Sequence, residues 1–298
     1  MEDKKAAEDT TAAEEGKKDE GTADKDKKDE ALNTQIHFAG SSSLAPVIAS
    51  IGASFIEKYG TWDKVNADFP AEAIDIPVTS GGSGDGPSSV ADGTADFGML
   101  ARSVKDSERE SLGDGYTEYM VAYDALTISV NSKNPIAKVK DDLDTETIRK
   151  IFAGEIKYWD ELDDSLEHKE IVVVIRDLSG GAAEVFEKNV MQGTPISDNA
   201  IQSPSMGALA KKIVENEYAI GYAGFGVYNQ NKGDLFAFKV DGVEASEANI
   251  LDGSYKIQRP VLFVTNRPLD PAEKAFVDYI FSDTGRQIVS ENGYIPAF

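Results

Sequence analysis

VTSGGSGDGPSSVADGTADFGMLAR, residues 78–102, sets the reading of the whole chain. The apolar run 74–78 leads into it as a strand and empties into a Ser/Gly turn that carries Gly81, Gly82, Gly84 and Gly86. Pro87 suits the first turn of a helix, so a short helix is predicted to continue through Ser88, Val90 and Ala91. A strand that stops at glycines and turns into a helix points unpaired backbone N–H groups at one spot, with the positive end of the helix dipole behind them. Such a spot attracts an anion. Ser83 would add a hydroxyl donor, and Arg102, just past the next apolar run 95–100, a fixed positive charge. A purely steric turn with a solvated Arg102 accounts for the same letters and stays open. A nucleotide P-loop does not: Gly81 and Gly86 are correctly spaced, but Pro87 stands where the lysine belongs, which removes ATP and GTP.

The same device recurs twice. Residues 35–39 form a short apolar strand that runs into Gly40, Ser41, Ser42 and Ser43, after which Leu44, Val47, Ile48, Ile51, Phe55 and Tyr59 keep helical spacing until Gly60. One serine caps the helix, and the remaining hydroxyls and N–H groups form a second anion cradle. The β-branched run 171–175 reads as a strand buried on both faces, and it opens into Arg176, Asp177, Leu178, Ser179, Gly180 and Gly181 before a helix with Val185, Phe186 and Val190. Arg176 is either held by Asp177 and neighbouring carboxylates or turned to a ligand; the glycines that follow at once favour the ligand.

Between these corners the pattern predicts a helix over 105–112, strands over 119–122 and 125–131, and a helix over 145–152 closed by Gly154. Tyr158 and Trp159 read as packing. A helix over 206–214, strands over 218–222, 235–240 and 256–265, and a long helix over 271–289 stopped by Asn292 and Gly293 complete the chain. Alternation of this kind means an α/β protein of βαβ units, with ligands off the carboxyl ends of the strands.

The 298 residues suit one large or two ordinary domains, and 41% hydrophobic content is enough for a core. Net charge is −23, which disfavours nucleic acid and anionic membrane as partners. Zero cysteines exclude thiolate metal sites, thiol nucleophiles and disulfides. No apolar run reaches the roughly 18 residues of a membrane span. His37 and His168 stand in neither a nucleophile nor a metal spacing, and pairs such as Asp141-Asp142 and Asp163-Asp164 read as solvated faces, so neither enzyme nor metal nor cofactor is expected. Residues 1–33 hold 12 Asp/Glu against 7 Lys with scarcely an apolar anchor, and are expected to be a disordered tether of net charge −5, leaving −18 for the remainder.

Seven blocks now fall in order: GSSSLAPV (40–47), GGSGDG with GTADFGM (81–99), VAYDALTISVNSKNP (121–135), IFAGEIKYW (151–159), AIGYAGFG (219–226), YKIQRPVLFVTN (255–266) and IVSENGYIP (288–296). Together they resemble the phosphate-binding proteins of bacterial ABC phosphate importers, over essentially everything after residue 34. The resemblance implies a periplasmic-binding-protein-like fold with a two-stranded hinge: lobe I over 35–122 and 256–298, lobe II over 123–255, closing on a ligand between them. It also implies a monomer that captures inorganic phosphate outside the cytoplasm and passes it to an ABC permease, with the tether of a lipoprotein whose anchor precedes residue 1.

Carried over residue by residue, the anion would lie against Ser42, Ser43, Ser83, Arg176 and the backbone of Ser179, Gly180, Gly181 and Ala182. Two departures bear on the ligand. Family members carry Gly-Ser-Gly-Thr where this chain has Ser179 to Ala182, so two hydroxyl donors are absent. At about 1.5–3 kcal/mol for each charge-assisted hydrogen bond, binding weakens unless Ser179 or Arg102 compensates. Where the family has an aspartate or serine past its DFG-like block, this chain has Ala101. Phosphate keeps a proton near neutral pH and needs an acceptor, whereas sulfate has none to give. Asp85, between two glycines, is the local replacement, and capping the helix at Pro87 is its other reading. Another tetrahedral oxyanion or a phosphorylated small molecule is therefore the alternative ligand, and a tethered sensor or scaffold without tight binding the alternative role.

Overall fold

The computed structural model describes residues 32–177 and 181–298. The expected tether, apart from Leu32 and Asn33, lies outside the described residues, as do Ser179 and Gly180.

The chain opens with β1 (Phe38–Ser41) and α1 (Ala45–Tyr59). The helix buries Val47, Ile48, Ile51 and Phe55 and stops at Gly60, whose φ of 73° a side chain would resist. After α2 (Trp62–Val65) comes β2 (Val78–Gly81), parallel to β1 with Phe38 opposite Val78 and Ser41 opposite Gly81. The strand predicted over 74–78 is thus displaced. Residues 79–81, read as turn, form the ladder because β1 lies alongside them, and that pairing outweighs the low strand propensity of Ser and Gly. Then follow α3 (Asp85–Ala91) and β3 (Phe97–Leu100), parallel on the other side of β1. A Cβ at Gly40 would fall 2.4 Å from the Met99 carbonyl oxygen and 2.8 Å from the Gly86 Cα; glycine is what lets β1, α3 and β3 close up.

Beyond α4 (Asp106–Leu112), β4 (Thr117–Asn131) is one 15-residue strand where the sequence predicted two. The remaining elements are β5 (Asp142–Leu143), α5 (Thr145–Ala153), β6 (Val172–Arg176), α6 (Gly181–Phe186), β7 (Ile201–Ser203), α7 (Met206–Glu215) and β8 (Ala219–Gly224). After them come α8 (Phe225–Gln230), β9 (Leu235–Ala237), β10 (Lys239–Val240), α9 (Glu247–Leu251), β11 (Gln258–Thr265), α10 (Pro271–Ile280), α11 (Asp283–Glu291) and β12 (Ile295–Pro296). The long helix predicted over 271–289 is broken at Phe281 and Ser282, because the Ser282 hydroxyl accepts from the Gly285 N–H at 3.3 Å and starts a second helix.

The main sheet runs β2-β1-β3-β11-β4-β8-β6-β7, with β9 and β12 also pairing to β4. β4 explains its own length: residues 117–125 pair with β11, and residues 126–130 with β8. The strand changes partner between Ala125 and Leu126 and so runs on without a break. Two large apolar cores flank this crossing. One gathers residues 36–122 and 261–289, with Phe38 stacked on Phe97 at 4.6 Å; the other gathers residues 125–257 and Ile295. Each fully buried aromatic or aliphatic side chain contributes about 1.5–3 kcal/mol, so each core has its own source of stability. The protein is a mixed α/β chain with the two-lobed, periplasmic-binding-protein-like fold.

Candidate functional site

β6 is buried through Val173, Val174 and Ile175 and delivers Arg176 at its carboxyl end. Tyr222 of β8 fixes the backbone there. Its ring is fully buried and stacks on Phe186 at 4.4 Å, and its hydroxyl oxygen accepts from the Arg176 N–H at 3.1 Å. Burial pushes the Tyr222 phenol up to about 12, which keeps the hydroxyl neutral. The Arg176 guanidinium donates to the Ser203 carbonyl at 3.3 Å and lies 3.1 Å from the Asp177 carboxylate. It is thus paired with Asp177 and turned to a cleft at once.

The other guanidinium comes from β11. Arg259 lies opposite Asp124 in the β11/β4 ladder, at the point where the chain crosses between the two cores, and only 6% of it is exposed. Its Nε donates to Asp124 Oδ2 at 3.2 Å, its Nη1 to Glu184 Oε2 at 3.0 Å and its Nη2 to Ser43 Oγ at 2.8 Å. Ser43 accepts that bond and so keeps its own proton to donate. Its carbonyl in turn accepts from the Tyr294 hydroxyl at 2.9 Å. Burial raises the Asp124 carboxyl above the usual carboxylate range, against the pull of Arg259.

These groups border a cleft of about 430 Å³, walled by Ser42, Ser43, Asp124, Arg176, Gly181, Ala182 and Arg259, with Pro46, Met206, Val227 and Tyr294 among the apolar surfaces. Two guanidinium groups, two hydroxyls and a carboxylate meeting in one partly apolar cleft form a receptor for a small, proton-bearing anion. No group of three or more His, Asp or Glu among the described residues is arranged to hold a metal.

A model of the PBP superfamily domain matches residues 6–284. The phosphate-binding protein PstS of Staphylococcus saprophyticus is 30% identical over 260 residues, which cover 83% of this chain and 76% of that protein. The chain belongs to the phosphate-binding proteins of the PBP superfamily. A solved phosphate ABC transporter substrate-binding protein from Clostridium perfringens, with bound phosphate, is 30% identical and superimposes with a TM-score of 0.59, covering 88% of this chain and 99% of that one. PstS from Borrelia burgdorferi shares the fold at a TM-score of 0.69 and 23% identity, over 88% and 98% of the two chains.

Of the residues predicted for the site of this phosphate-binding-family chain, the structure brings Ser42, Ser43, Arg176, Gly181 and Ala182 to the cleft. Ser83, Asp85 and Arg102 are not among its walls. The Ser83 hydroxyl accepts from the Ala101 N–H at 3.1 Å, and Asp85 accepts from the Gly82 N–H at 2.6 Å, fastening its own turn. Arg102 is clasped by both oxygens of Glu108, at 2.9 and 2.7 Å, and this pairing raises the guanidinium and lowers the carboxyl relative to their ordinary values. Asp124, Arg259 and Tyr294 were missed by the sequence reading. A single charge interrupting an apolar strand at each of the two crossings, near 122 and 255, was the available signal.

Proposed function

We propose that this protein captures inorganic phosphate in the cleft, outside the cytoplasm, and delivers it as a monomer to an ABC importer. The observation that carries the reading is the convergence of Arg176, Arg259, Ser42 and Ser43 with the Asp124 carboxylate, in a chain 30% identical to a solved relative that holds phosphate. The guanidinium and hydroxyl groups replace the anion's hydration shell, and Asp124 takes the role expected of Asp85, accepting the proton that phosphate retains and sulfate lacks. Binding alone is required; no bond is made or broken. The lobes run 35–122 with 256–298 and 123–255, hinged where β4 and β11 cross, in keeping with the two apolar cores on either side of Asp124 and Arg259.

Titration calorimetry on protein freed of bound anion tests this. Phosphate should release heat and sulfate much less, and Arg176→Ala should weaken phosphate binding by roughly ten- to a hundredfold, the worth of one charge-assisted bond. Absence of heat with phosphate refutes the reading. The cleft volume favours one second reading: about 430 Å³ is several times an orthophosphate ion, and apolar Pro46, Met206 and Val227 would suit the organic part of a phosphate monoester. Native mass spectrometry of the protein as purified separates the two by the mass retained.

A further inference from the structure

Arg259 is already occupied. Of the three groups that hold it, Asp124 is its neighbour in the ladder and Ser43 stands just before α1, but Glu184 reaches in from α6, whose Val185 and Phe186 pack in the other core. The Glu184 side chain is 72% exposed while that of Arg259 is 7% exposed, so the carboxylate is free to leave and the guanidinium is not. Gly181, one turn earlier in α6, lies so close that a Cβ there would fall 2.1 Å from Arg259 Nη2 and 2.4 Å from Ser43 Oγ. The Glu184 charge is also felt by Arg102. Glu184 is not itself among the walls of the cleft, but it holds one donor of a guanidinium that is.

We infer that Glu184 is an affinity-setting residue: its carboxylate takes one donor of the Arg259 guanidinium, and an incoming oxyanion competes with it for that donor. This rests on the phosphate reading above and extends it to regulation of the same site. The two carboxylates around Arg259 then have separate roles. Asp124 stays, because its side chain is only 16% exposed and its strand is paired with that of Arg259; Glu184 swings outward into water at little cost. Glu184 ties α6 to Arg259 of β11 in competition with the anion, so its contact opposes the liganded arrangement.

The experiment is phosphate calorimetry and thermal unfolding on wild type, Glu184→Gln and Glu184→Ala. Both variants should bind phosphate about two- to fivefold more tightly than wild type at low ionic strength, the scale of one water-exposed ion pair, with the gain shrinking in high salt. Both should melt lower than wild type without phosphate, and show a larger upward shift when phosphate is added. A merely structural contact would lower the melting temperature and leave affinity alone. Equal or weaker phosphate binding in both variants overturns the inference while leaving the phosphate reading intact. Heat in none of the three proteins refutes both.

Discussion

Gly181→Ala is the sharpest test of the site's geometry. The added Cβ would lie 2.1 Å from Arg259 Nη2 and 2.4 Å from Ser43 Oγ, and real Cβ atoms almost never approach closer than 3.0 Å, so the guanidinium must retreat by about 1 Å. An exposed arginine would yield for nothing. Here Arg259 is 6% exposed and fastened by Asp124 and Glu184, so the retreat breaks at least the 2.8 Å bond to Ser43. A guanidinium moved by about 1 Å also loses its bond to the anion; one hydrogen bond to a charged group is worth about 1.5–3 kcal/mol, which predicts phosphate binding weakened by roughly ten- to a hundredfold. Stability falls as well, because the lost Arg259–Ser43 bond, about 1.5–3 kcal/mol, outweighs the roughly 0.4–1 kcal/mol that replacing a glycine returns through the unfolded chain. The melting temperature should therefore fall by roughly 2–8 °C. Calorimetry and thermal unfolding on the same preparation measure both quantities. If affinity stays within twofold of wild type while the melting temperature rises, Arg259 and Ser43 do not meet at the start of α6 and the site is wrongly assembled.

Asp124→Asn should cost phosphate roughly tenfold or more and raise sulfate affinity, since the acceptor for the phosphate proton and a repulsive charge leave together; competition calorimetry with the two anions reads the loss of discrimination. Glu108→Gln should lower stability near neutral pH by about 1–2 kcal/mol without touching phosphate binding. The Arg102 pairing depresses the Glu108 carboxyl, so its stabilisation is present above the ordinary glutamate range and lost as pH falls through the depressed value. Urea midpoints of wild type and variant should therefore differ near neutral pH and converge in acid.

Local order was legible because it has local causes. The spacing of Val47, Ile48, Ile51 and Phe55 and the positive φ at Gly60 mark α1, and the β-branched run before Arg176 marks β6, with no help from distant residues. Boundaries failed where a distant neighbour decided them. Residues 79–81 became strand because β1 lay beside them, and β4 ran unbroken because β11 and β8 pair with it in turn, up to Ala125 and from Leu126. The division of 271–289 came from a single hydroxyl, Ser282, accepting an N–H three residues on, a signal too small to outweigh a long amphipathic pattern.

The candidate site divides along the same line. Glycines and serines report where a backbone turns, and three such corners were visible; they do not report which side chains gather there. At the corner that opened the reading, Gly86 answers to packing: its own Cβ would fall 2.6 Å from the Met99 oxygen, and Ser83 and Asp85 serve the turn itself. The charge that replaces this corner in the cleft comes from Arg259, 135 positions from the aspartate that orients it and 216 from the serine it binds. Neither distance is readable from a local pattern. Of the strands in the main sheet, β4 and β11 are the pair between the two cores, so a charge placed on them lies beside both.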